Sequence, residues 1–162
     1  MAKAGAEGSR KRTVKEREKY IMSLVNQMTL DEKIGMIHGA GLFRTAGVPR
    51  LGIPELHMSD GPMGVRQEFV DNDWKNVYDS DDTVTYLPSN SAIAATWNPK
   101  RAKECGEVLG TEARGRGKDV ILAPGINIKR TQLCGRNFEY MSEDPYLVSE
   151  MTVPLIKGIQ KA

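Results

Sequence analysis

Histidine and cysteine are nearly absent from this chain, with two of each in 162 residues. His38 and His57 fall in different predicted elements, and neither HExxH nor CxxC occurs. A zinc site therefore has no ligand set to start from. Cys105 and Cys134 have no export signal before them, so reduced thiols are expected, although the sequence leaves a pairing between them open. An excess of one charge is also lacking. The 23 basic and 21 acidic residues leave a net charge of +2, which gives no reason to expect nucleic acid as a partner. No apolar run approaches the roughly 20 residues of a membrane span. The opening MAKAGAEGSRKRT has basic residues but no apolar stretch behind them, so it does not read as a secretory signal, and a cytoplasmic location is the expectation. Gly-x-Ser-x-Gly is missing. GAGLFRTAG is glycine-rich but follows a predicted helix and lacks GxGxxG spacing, which removes a phosphate cradle. The acid-rich run from Asp71 fails as a calcium loop, because Lys75 and Asn76 occupy its fifth and sixth positions and the sixth needs glycine. No structural metal is expected.

The rest is the profile of a globular domain, with 40% hydrophobic and 27% charged residues. Residues 1–13 are predicted as a flexible tail with Arg10-Lys11-Arg12 solvated, and 14–162 as the domain. Ile21, Leu24, Val25 and Met28 recur at helical spacing and predict a helix over about 14–28. Thr29-Leu30-Asp31-Glu32 fits a capping box that opens a second, short helix ending near Gly39. Residues 39–54 read as loop, and 56–60 as a short strand with a polar tip. Residues 67–87 form an irregular insert with six acids and four aromatics, Phe69, Trp74, Tyr78 and Tyr86. These aromatics are read as anchors of a long loop, with acceptor-site walls as the alternative. The run 89–97 is small and apolar. Asn98-Pro99 then starts a helix to about 116, with Ala102, Cys105, Val108, Leu109 and Ala113 on one face. Residues 120–123 predict a compact strand, buried on both faces if parallel. Ser142 is the expected cap of a last helix over about 144–161, lined by Leu147, Met151, Leu155 and Ile159, with Pro154 kinking it or delaying its start. The alternation argues an α/β fold with parallel strands. The long polar loops follow the strands, at the sheet edge where such folds build their sites.

His57, Ser59 and Asp60 contain the residue types of a hydrolytic triad, but on one strand His57 and Ser59 cannot fold onto each other. Sugar recognition fits the loops better. It needs carboxylates that accept hydroxyl protons, arginine forks that donate, and aromatic faces that pack on C–H surfaces. Asp60 and Arg66 bracket a glycine-shaped turn after the first strand. Arg136, with Glu139, Tyr140 and Glu143 near it, follows the second.

Five stretches carry a resemblance: MTLDEKIGMI (28–37), GVPRLGIPELHMSDGPMGVR (47–66), LPSNSAIAATWNP (87–99), LGTEARGRGKDVILAPGINIKR (109–130) and GRNFEYMSEDPYL (135–147). In this order and spacing they resemble the N-terminal part of the catalytic barrel of family 3 glycoside hydrolases, which include many β-glucosidases. The resemblance implies the first portion of a TIM-type (β/α)8 barrel, incomplete in this chain, and retaining hydrolysis of a terminal β-linked sugar without a cofactor. It implies sugar-binding roles for Asp60, Arg66 and Arg136, and no role is carried over for Lys129 or Arg130; Glu139 and Glu143 are read as structural, pairing with Arg or capping the last helix. The family's Lys-His pair, its catalytic Asp and its acid/base Glu have no counterpart here. A TIM barrel needs about 250 residues. The chain is therefore expected to be a fragment, inactive alone, whose partners are a β-glucoside and the missing remainder of the enzyme. A non-catalytic module binding sugar or a partner, or one half of a split glycosidase, is the alternative.

Overall fold

Two capping boxes open the first two helices. In the computed structural model, which describes residues 12–67 and 83–162, the Thr13 hydroxyl accepts from Glu16 N–H while the Glu16 carboxylate accepts from Thr13 N–H at 2.7 Å. This opens helix α1 (Val14–Gln27). Thr29 and Glu32 repeat the device at the start of α2 (Leu30–Met36). Most of the tail predicted for 1–13, and residues 68–82 of the insert with Phe69, Trp74 and Tyr78, lie outside the described residues.

Arg50, in a 3-10 turn over Pro49–Leu51, ties these helices together. It donates to both Glu32 carboxylate oxygens at 2.6 Å and to the Gln27 carbonyl at 2.7 Å, joining the end of α1 to the start of α2. Chiefly through Arg50, and then through the Thr29 N–H, the Glu32 carboxyl is held down to about 2. A depressed carboxyl contributes stability that is present above its unfolded value near 4.5 and lost as pH falls towards 2. Arg50→Met lacks most of that contribution, so its stability deficit against the parent chain should shrink between pH 4.5 and 2, as read from urea midpoints along a pH series.

The stretch 39–54, predicted as loop, contains a small antiparallel hairpin of β1 (Gly39–Gly41) and β2 (Arg44–Thr45). These strands are too short to show alternation, and β1 is mostly glycine. The hairpin is stitched to the next segment by Met58 N–H on the Phe43 carbonyl (2.7 Å) and Thr45 N–H on the Leu56 carbonyl (3.1 Å). Strand β3 (Met58–Asp60) is shorter than the 56–60 predicted. The chain then crosses over through two helices. The first, α3 (Asn90–Ala95), was not expected from the small apolar run, although Ser89 caps it by accepting from Ala92 N–H at 3.2 Å. The second, α4 (Pro99–Gly115), starts at the expected Asn98-Pro99 signal. Strand β4 (Val120–Leu122) returns parallel to β3, pairing Met58 with Val120, Ser59 with Ile121 and Asp60 with Leu122.

Helix α5 (Pro145–Ile159) is capped by Asp144, not by Ser142. Pro145 takes the first helical position, and the Asp144 carboxylate accepts from the next two N–H groups, of Tyr146 and Leu147, at 3.0 and 3.2 Å. Ser142 instead accepts from Asp144 N–H. Pro154 lies inside the helix and does not delay its start.

The core lies between the helices and one face of the β3–β4 pair. Ile93, Ala94, Ala102, Val148, Met151 and Leu155 form one cluster, with Cys105 and Leu147 at its margin. Val65, Leu87, Leu109 and Ala113 form a second, against which Ile121 packs. The expectation that β4 is buried on both faces fails. Successive residues of a strand face opposite ways, so Ile121 meets the helices while Val120 and Leu122 stay 38% and 47% exposed.

Helices α4 and α5 pack backbone to backbone, through three glycines that apolar periodicity does not register. A Cβ on Gly106 would sit 2.1 Å from the Leu155 carbonyl oxygen, on Gly110 2.3 Å from that of Ile159, and on Gly158 2.3 Å from that of Lys103. Gly106→Val should therefore force the helices apart and destabilise the fold by about 1–3 kcal/mol or more. Gly115→Ala, in the same helix with open space at its Cβ, should be neutral or stabilise by up to ~1 kcal/mol. Chemical denaturation of the two variants checks the contrast.

Candidate functional site

Strand β3 delivers Asp60 to its C-terminal tip, and the next four residues turn the chain back over it. Gly61 and Gly64 have φ of +131° and +144°, values that L side chains rarely adopt. A Cβ on Gly61 would meet the Gly64 carbonyl oxygen at 1.7 Å, and one on Gly64 the Thr85 carbonyl oxygen at 2.4 Å. The turn returns Arg66 to the strand end. Its backbone N–H donates to the Asp60 carbonyl at 3.1 Å, and its guanidinium to Asp60 Oδ2 at 3.0 Å. Asp60 Oδ1 accepts from Gly61 N–H at 3.1 Å. The buried Ser59 hydroxyl accepts from Arg66 N–H and donates to the Asp60 carbonyl, so it serves the turn. His57 contributes backbone groups to Asp119 and Val120. The guanidinium of Arg66 stands over the Phe43 ring, 5.5 Å from its centre.

Beyond β4 the chain passes a cis Ala123–Pro124 bond and reaches a 3-10 turn over Asn137–Glu139. Arg136 leads into it and donates through Nε to the Glu139 carboxylate, while its guanidinium lies 5.9 Å from the centre of the Tyr140 ring. Glu139 is buried, whereas the Arg136 side chain stays 71% exposed, leaving donors free to face a ligand. The Arg136 guanidinium is held above its ordinary value chiefly by Glu139, with smaller contributions from Tyr140 and Asp60. The pairing expected for Glu139 is present. Glu143 does not cap α5.

The start of α3 fixes this second loop in place. Asn90 is fully buried, and its amide donates to the Glu139 carbonyl at 2.8 Å. The Ser91 hydroxyl donates to the Tyr140 carbonyl at 2.8 Å and accepts from the Lys129 ammonium at 2.7 Å. Asn90, Ser91, Lys129 and Phe43 were not singled out from the sequence for the site. Only Phe43 carried a signal, as the one aromatic in a glycine-rich segment.

Asp60 and Arg66 from the loop after β3, and Arg136 from the loop after β4, line one cavity of about 410 Å³ with Tyr86, Phe138 and Glu139. A second cavity, about 350 Å³, shares Asp60, Arg136 and Glu139 and extends to Leu122, Asn127 and Tyr140. The arrangement has fixed acceptors, charged donors and aromatic surface, and suits a small polyhydroxylated ligand. Among the described residues no three His, Cys, Asp or Glu side chains converge on a metal site. Cys105 and Cys134 are both free thiols, and burial, followed by the Glu104 charge, pushes the Cys105 thiol up. No helix among the described residues is long and apolar enough to cross a membrane.

A parallel strand pair backed by helices, with polar loops at the strand C-terminal ends, is the build of an α/β domain that carries its site at that edge. The profile of the glycosyl hydrolase family 3 N-terminal domain matches residues 54–162, and the chain belongs to that family. A beta-glucosidase of Bacteroides ovatus is 52% identical over 144 residues, which is 89% of this chain and 19% of that protein. An exo-alpha-(1->6)-L-arabinopyranosidase of Bifidobacterium longum is 35% identical over 136 residues, 84% of this chain and 18% of that protein. Beta-glucosidase 3B of Thermotoga neapolitana, solved with alpha-D-glucose, superposes with a TM-score of 0.76 at 38% identity, covering 88% of this chain and 21% of that one. The chain thus spans about a fifth of the length of the relatives it matches. Its α/β fold is that of the N-terminal part of a TIM-type barrel, with no closed barrel among the described residues.

The dependence of the second loop on α3 is testable. Asn90→Ala leaves the buried Glu139 carbonyl without its donor and should cost about 1–3 kcal/mol in unfolding free energy, read by urea denaturation.

Proposed function

We propose that this chain supplies the sugar-holding part of a glycoside hydrolase of the β-glucosidase type, acting on a terminal β-linked sugar. The observation that carries the proposal is the meeting of Asp60, Arg66 and Arg136 in one cavity. Each Asp60 oxygen has one protein donor, Gly61 N–H or Arg66, and a further lone pair for a sugar hydroxyl. Arg136 presents its remaining N–H groups from a largely exposed side chain. Such charge-assisted hydrogen bonds are the strong class for holding hydroxyl groups. Beta-glucosidases among the relatives and a neighbouring structure solved with glucose support this reading.

Retaining hydrolysis needs a nucleophilic carboxylate and an acid/base carboxyl about 5–5.5 Å apart. Asp60 and Glu139 share the cavity but do not suit that pair. Each already accepts from an arginine, an arrangement that offers oxygens to hydroxyls and no proton to a leaving group. The proposal therefore places nucleophile and acid/base outside the described residues and assigns substrate binding alone to this part. The part-exposed face of Val120 and Leu122 would be closed by further barrel strands.

The test is a ligand-observed NMR titration of the chain with methyl β-glucoside, alongside incubation with an aryl β-glucoside. Saturable binding is expected, weakened roughly tenfold or more in Asp60→Ala, with no phenol released above the buffer rate. Unchanged affinity in Asp60→Ala, or turnover by the chain alone, would overturn the proposal.

A further inference from the structure

Two contacts on the Arg66 guanidinium differ in kind. It donates an N–H to Asp60 Oδ2 at 3.0 Å. Its central carbon stands over the Phe43 ring, 5.5 Å from the ring centre. A guanidinium is planar, with its N–H groups along the edge and none on its faces. A carboxylate or carbonyl restrains it by taking up a donor. An aromatic ring attracts the cation through the negative face of its own π-system and takes up none. Phe43 therefore restrains Arg66 without competing for its hydrogen bonds.

The ring itself is tied to the strand that carries the site. Phe43 lies in the turn between β1 and β2, and its carbonyl accepts from Met58 N–H at 2.7 Å, two residues before Asp60 in β3. Thr45 N–H donates to the Leu56 carbonyl at 3.1 Å, and Leu56 N–H to the Thr45 hydroxyl at 3.3 Å. Arg44 donates to the Glu55 carboxylate at 3.0 Å. These bonds register the hairpin against the segment leading into β3, so the ring and the Asp60 carboxylate ride on one frame. Phe43 is half-buried and belongs to neither core cluster. Core filling does not account for an aromatic at this position, whereas the contact with Arg66 does.

We infer that Phe43 is a positioning residue for the candidate sugar site, holding the Arg66 guanidinium in the orientation in which it meets a hydroxylated ligand. The inference rests on the sugar-holding reading above. It assigns Phe43 no contact with the ligand, since Phe43 lines neither of the two cavities that contain Asp60. A cation ordered before the ligand arrives has less freedom left to lose on binding. The Arg66 side chain is 33% exposed, and a cation–aromatic contact in such a setting is worth roughly two- to fivefold in affinity.

Two substitutions separate the ring from its bulk. Phe43→Leu keeps an apolar side chain and removes the π-face, and Phe43→Tyr keeps both. Methyl β-glucoside titrated into the full chain should bind roughly two- to fivefold more weakly to Phe43→Leu and with parent affinity to Phe43→Tyr, while the urea midpoints of all three stay together. Arginine side-chain NMR reads the contact directly. The Arg66 Nε–H proton, assigned by its loss in Arg66→Lys, should lie upfield in the parent and in Phe43→Tyr, shielded by the ring, and move downfield in Phe43→Leu. An Arg66 resonance or an affinity unchanged in Phe43→Leu overturns the positioning role. So does an affinity weakened equally in both variants, or a weakening matched by a fall in the urea midpoint. In each of those cases binding of methyl β-glucoside by the parent chain leaves the sugar-holding reading standing. Absence of that binding removes the reading and this inference with it.

Discussion

The parallel pairing of β3 with β4 is the constraint on which the site depends. It is only three residues long, yet its register sets Asp60 beside Leu122, so both strands end at the same level. Their following loops must then leave from the same edge. A slip of one residue would reverse every side chain in β4, sending Ile121 away from the helices and Val120 into them. The ladder is reinforced at its lower end, where the Asp119 carboxylate accepts from His57 N–H at 3.0 Å and the Asp119 and Val120 N–H groups donate to the His57 carbonyl. So short a sheet holds its register through the helices behind it. Ile121 is packed against the cluster containing Leu109 and Ala113, and α4 is locked to α5 through Gly106, Gly110 and Gly158.

What was legible in the sequence follows from which forces act locally. The Thr29–Glu32 capping box, the Asn98-Pro99 helix start and the stripe on α5 are local signals, and each marks the element it should. The Thr13–Glu16 box is a local signal of the same kind. Other features have no local signature. α3 is too short for its apolar spacing to declare a period. The hairpin at 39–45 has strands of three and two residues and is held by bonds to the segment around Leu56 and Met58. The α4–α5 contact depends on missing side chains, which hydrophobic patterning does not count. Asp144 displaced Ser142 as a cap because a proline immediately follows it, a competition between two good capping residues that spacing alone does not settle.

The same division runs through the candidate site. Asp60, Arg66 and Arg136 were named because charges on loops after strands are chemically conspicuous. The groups that aim them were not, because their work is done through backbone atoms. Asn90 holds the Glu139 carbonyl, and Ser91, backed by Lys129, holds that of Tyr140. A buried asparagine at the first turn of a small apolar helix looks like any other polar residue until the loop that needs its amide is in view. Phe43 is similar, a ring beneath a guanidinium that only the hairpin brings within reach.

Pairing each carboxylate of the site with its own arginine has a consequence for the chemistry. A charge left alone in a partly enclosed cavity would be costly to strip of water, whereas Asp60–Arg66 and Glu139–Arg136 enter already compensated. Compensation keeps the groups in position before a ligand arrives, so less ordering remains to be done on binding. It also makes both carboxylates poor candidates for bond cleavage, since a nucleophile tied to a guanidinium is restrained and an acid must carry a proton. On the proposed reading, a site arranged in this way grips hydroxyl groups and orients one sugar face. Bond cleavage would need carboxyl groups without such partners, brought to the same cavity from elsewhere in the barrel or beyond it.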